Sequence, residues 1–162
     1  MAHDHEHPQD VFIQADGSEE YRDPWVVTDN EVLATAHSGC VCVHEGATLE
    51  LASTGQLSGS LTLQAGSSVR IVGQHSGSLH VGPESVVDVV GSQSGSVHVA
   101  HAGLVRVHPG GMLAGSLHVA GLIENRGTRG GSVHMSGGAI QDLEDASVKE
   151  PTRRGGENYY SW

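Results

Sequence analysis

From Val69 to Val81 the chain alternates. Val69, Ile71, Gly73, His75, Gly77, Leu79 and Val81 share one parity, while the other carries Arg70, Gln74, Ser76, Ser78 and His80. Period two predicts strand, with the odd residues inward. One hexapeptide repeats the alternation along the chain: SGCVCV at 38, SGSLTL at 58, SGSLHV at 76, SGSVHV at 94, AGSLHV at 114 and GGSVHM at 130. It returns after 20, 18, 18, 20 and 16 residues, a period of about 18 that predicts a solenoid of stacked coils. The expected fold is all-β: a single-domain triangular β-solenoid of about six coils, capped at both ends.

The copies divide into three faces. The first sends Val41 and Val43, Leu61 and Leu63, Leu79 and Val81, Val97 and Val99, Leu117 and Val119, then Val133 and Met135 to the core. Its outer side carries two ladders, Cys40, Ser60, Ser78, Ser96, Ser116, Ser132 and Cys42, Thr62, His80, His98, His118, His134. Rungs are expected ~4.8 Å apart. The second face points Leu49 and Leu51, Val69 and Ile71, Val87 and Val89, and Val105 and Val107 inward, with Ile123 and Asn125 as a weaker rung. Outside it reads Glu50, Arg70, Asp88, Arg106, Glu124, and this sign alternation is what neighbouring parallel rungs favour. The third face is Gly-x-X-x-Gly, centred on Leu57, His75, Gln93, Leu113 and Arg129. Its glycine columns mark sharp corners. His75, Gln93 and Arg129 enter the core by parity, so either they bond to one another or this face is partly open.

Residues 1–22 hold His3, His5 and His7 among acids with no apolar period and are expected to be a mobile polar arm. Residues 23–37 are expected to cap the first coil, with Tyr21, Trp25, Val26 and Val27 as candidates, because an open solenoid end exposes strand edges. The solenoid is assigned to 38–147, and 148–162 to a C-terminal tail or cap. The acidic stretch after Met135 suits a short terminal turn of helix. Tyr159, Tyr160 and Trp162 are aromatics costly to leave in water, which points to docking on the last coil or on a partner.

Composition narrows the function. The 162 residues include 23 Gly and six aromatics, all six outside the repeats, so the core is narrow. A net charge of −11 lacks the basic footprint of a nucleic-acid binder and favours basic partners. The N-terminal residues show no secretory signal and no apolar run reaches the ~20 residues of a membrane span. Cys40 and Cys42 read as reduced thiols, and the expected location is cytoplasmic.

The alternating Val-x-Ile-x-Gly-x-X-x-Gly-x-Leu-x-Val of 69–81, and its counterpart at 87–99, resembles bactofilins, bacterial polymer-forming cytoskeletal proteins; the resemblance covers about residues 39–135. It implies a triangular β-helix that polymerises through its ends without nucleotide, with no cofactor. Left-handed hexapeptide-repeat acyltransferases and γ-class carbonic anhydrases place a small residue where this chain has Leu61, Leu79, Val97 and Leu117, so the match fails on one face in three.

Three functions compete. The first is a non-enzymatic scaffold that self-assembles or binds protein. Its interface candidates are Val86, Leu104 and Leu122 in one outward column, Val72 and Val90 in the other, and Arg70, Asp88, Arg106 and Glu124 between them, an apolar patch with charged neighbours. The second is a small acidic immunity-type protein that neutralises a basic toxin domain. The third is a metal-dependent enzyme using His80, His98, His118 and His134, since neighbouring imidazoles can hold Zn²⁺ or Ni²⁺. Repeat duplication alone explains such a column, which offers no carboxylate and no orienting partner, so the solvated ladder is preferred. A nucleophile needs one activated serine, not a repeated row.

Overall fold

The computed structural model describes residues 10–22, 24–149, 152–154 and 157–159. All regular elements among them are strands, and most belong to three parallel sheets of seven strands each. Each coil gives one strand to each sheet, so the chain is a β-solenoid of seven turns. Register follows the expected columns: Arg70 lies between Glu50 and Asp88, Val69 between Leu49 and Val87, His80 between Thr62 and His98. Inward parity makes one continuous core through Leu49, Val69, Val87, Val105 and Ile123, each at most 1% exposed.

The corner between the third and first faces depends on glycine. Gly59, Gly77, Gly95 and Gly115 adopt φ between 112° and 144°, left-handed space that a side chain rarely enters. The amides of Gly59, Gly77 and Gly95 reach the next coil, as in Gly77 N–H to Ser94 O at 2.9 Å. The corner between the first and second faces is looser: Gly66 (φ 72°) and Ala102 (φ 65°) occupy the same position there.

The third-face core is closed by polar pairing. His75 and Gln93, 1% and 0% exposed, bond to each other through Nδ1 and Oε1. His75 Nε2 lies 2.8 Å from Gly59 O, and Gln93 Nε2 donates to Gly77 O at 3.1 Å. Leu57 and Leu113 flank the pair in the same column. Arg129 is matched differently: its Nε and Nη2 donate to the two Asp142 oxygens at 2.8 and 2.7 Å. Asn125, fully buried, adds Nδ2–H to Asp142 Oδ1 at 2.9 Å and accepts from Gly127 N. The Arg129 hydrogen bond, the largest influence, holds the Asp142 carboxyl below its ordinary value.

Several expectations change at the ends. The stack has seven coils, not six, because Trp25–Val27, Asn30–Leu33 and Ala36–Ser38 pair in register as a first coil. Trp25 packs on the core and meets the His37 ring edge-on at 5.3 Å. Among the described residues the segment after Met135 holds no helical turn; Ala139–Asp142 and Ser147–Val148 continue two of the sheets. Val133 and Met135 occupy core columns yet are 39% and 49% exposed, since Val133–Met135 ends its sheet among the described residues. In the N-terminal arm, Asp10–Ile13 and Glu19–Arg22 form an antiparallel hairpin. Its Asp16–Gly17 turn puts Gly17 at φ 84°, and Asp16 accepts from Ser18 N and Oγ. Residues 1–9 lie outside the described set. Thr152–Arg154 and Glu157–Tyr159 pair as a second hairpin, which sets only the backbone of the cap candidate Tyr159; Tyr160 and Trp162 lie outside the described residues.

Candidate functional site

Strand parity turns His80, His98, His118 and His134 outward on the first face, and parallel register stacks them. Ring centroids are 4.8, 4.5 and 4.8 Å apart with interplanar angles of 8°, 6° and 11°. Two residues beyond each of the first three histidines come Gly82, Ala100 and Ala120. These small side chains leave a groove of about 390 Å³ along the imidazole edges, closed at one end by Thr62 and at the other by Ser136. The histidines were conspicuous in the sequence; the groove was not, and the small residue at His+2 was its signal.

Near-parallel rings aim their in-plane lone pairs along parallel lines, whereas a metal needs them to converge. Among the described residues no group of three or more His, Cys, Asp or Glu is placed to hold a metal ion. Ser116 and Ser132 hydroxyls bond each other at 2.9 Å, and among the described residues no ladder serine bonds a ladder histidine, so the row lacks an activated nucleophile. Cys40 and Cys42 form no disulfide. Cys42 stands in the outward column yet is fully buried, and burial pushes its thiol up to about 11, which leaves it protonated and unreactive.

Burial lowers the His80 and His98 pKa values, and the charge on His80 lowers His98 further; His118 is lowered by desolvation first and then by His98 and His134. The neutral ring is therefore favoured in the fold. Below the unfolded value of ~6.5 the unfolded chain binds more protons than the folded one. Stability is expected to be full above about pH 7, to fall as pH drops through ~6.5, and to level only below the depressed folded values. Urea titrations at successive pH values check this. Replacing His98 and His118 with threonine should flatten the loss, and an unchanged slope would show that other groups cause it.

The second face separates the interface candidates. Val86, Leu104 and Leu122 stack in one outward column, half-buried against one another and beside a groove of about 510 Å³ lined by small residues, among them Ala102, Gly103, Gly121 and Gly138. Val72 and Val90 lie across the charged column, with Val72 on a separate groove of about 320 Å³ near Gln74 and Met112. In the charged column Arg106 Nε meets Glu124 Oε2 at 3.5 Å, and Asp88 is joined by His108 Nε2 at 2.8 Å; Arg70 is flanked by Glu50 and Asp88 in register. These partly exposed pairs contribute only ~0–1 kcal/mol each and mainly mark register.

Among the described residues no helix is long and apolar enough to cross a membrane. Compared with known proteins, the chain matches no protein-family model, no curated protein and no solved structure.

Proposed function

We propose that this chain is a non-enzymatic scaffold that works by protein contact through the second face, by self-association or by holding another chain. The observation that carries the reading is the Val86–Leu104–Leu122 column beside its groove. Strand pairing fixes these side chains on neighbouring rungs, so little ordering remains to oppose binding. Asp88, Arg106 and Glu124 give the patch the charged rim of an interface.

Leu104→Asp with Leu122→Asp is expected to abolish self-association or partner capture, seen by size-exclusion chromatography with light scattering, while the β-rich circular dichroism spectrum stays intact. Unfolding of the variant would assign both leucines to the fold, and undiminished association would remove the second face from the function. The net charge of −11 favours one further reading, an immunity-type protein that binds a basic domain. Binding that weakens steeply with added salt is its signature.

A further inference from the structure

We infer that both ends of the solenoid are closed to axial stacking of a second copy by charged side chains standing in core columns. The inference holds whether or not the second face binds protein. Terminal strands of parallel sheets leave backbone donors and acceptors that template another coil. A second copy added in register would set its Trp25 on Val133 and its Val27 on Met135, since those residues share columns along the first face. On this face alone the residues match in character, and Val27 is already fully buried.

The other faces refuse the join. Glu31 stands in the column of Leu49, Val69, Val87, Val105 and Ile123. It stays exposed because its coil is the first. Stacking would seal its carboxylate between Leu49 of its own copy and Ile140 of the next. Asp142 stands in the column that begins with Leu33, and stacking would press that leucine onto the Asp142–Arg129 pair. Arg129, with a side chain 15% exposed, is already spent on both Asp142 oxygens and has no geometry left for Glu31. On the third face, His37 would land on Val148. An uncompensated carboxylate in an aliphatic column carries a large desolvation penalty, and inward-pointing charge is a known way of blunting sheet edges.

The test uses the full chain carrying Leu104→Asp and Leu122→Asp, so that side-to-side contact is suppressed. In that background Glu31→Leu, Arg129→Leu and Asp142→Leu together should produce rods in electron micrographs and a weight-average mass at least tenfold above the parent. The parent itself should form none. Rods from the parent, or a folded variant with no gain in mass, would overturn the inference. Should the combined variant fail to fold by circular dichroism, Glu31→Leu alone is expected to raise the mass at least twofold at the highest soluble concentration. No rise there would equally overturn it.

Discussion

Gly95→Ala is expected to destabilise the fold by about 4 kcal/mol, the sum of a strained backbone and an overpacked corner. At φ 112° an added Cβ would lie under 3.0 Å from the Gly77 carbonyl oxygen and carbon. Both belong to rigid backbone one coil away, so no rotamer change relieves the clash. Gly66→Ala supplies the control. Its φ is 72°, an added Cβ meets nothing within 4 Å, and Ala102 already stands at the equivalent turn with φ 65°. The loss there should be only about 1 kcal/mol. Urea midpoints of the two variants give the comparison, and similar losses would mean that interstrand crowding at the corner is not what selects glycine.

Gln93→Leu is expected to cost ~1–3 kcal/mol, because it strips His75 Nδ1 of its partner in a fully buried site. Adding His75→Leu should recover much of that loss. The column already accepts Leu57 and Leu113 at these depths, and Gly59 and Gly77, whose carbonyls lose donors, are half-buried residues at the corner. A double-mutant cycle in urea should return a coupling of about 1–2 kcal/mol. Strict additivity would show that the two side chains do not act as a pair.

The interior coils were legible because residues covered on both sides must be apolar at every second position, and parity then sets the register to the residue. The pairing of His75 with Gln93 was one of two alternatives that parity left open. The end coils hid for the complementary reason. In the first coil Glu31 is exposed and His37 half-buried, so they can occupy the places of Leu49 and Leu57; the charges that close the ends also disguise the period. The Asp10–Arg22 hairpin had a signal that hydrophobic counting passes over, the Asp16–Gly17 turn between Val11-Phe12-Ile13 and Glu20-Tyr21. At the ladder, sequence supplied the stacking and the direction of the histidine shifts but ranked their causes differently, since burial precedes repulsion. The groove required knowing that small side chains at His+2 share the outer surface of the same corner.

The alternating column Glu50, Arg70, Asp88, Arg106, Glu124 also sets a grammar of length. Its neighbours at the two ends, Val32 and Gln141, are uncharged, so the pattern opens and closes without imposing a sign. Excising one interior coil would bring Arg70 against Arg106, a like-charge contact that costs a few tenths to ~1 kcal/mol. Excising two would bring Arg70 against Glu124 and restore opposition. Among the coils of Arg70, Asp88 and Arg106, the smallest change of length without an electrostatic fault is therefore a pair of coils, roughly 36 residues, and duplication within that part of the stack would be expected to proceed in twos.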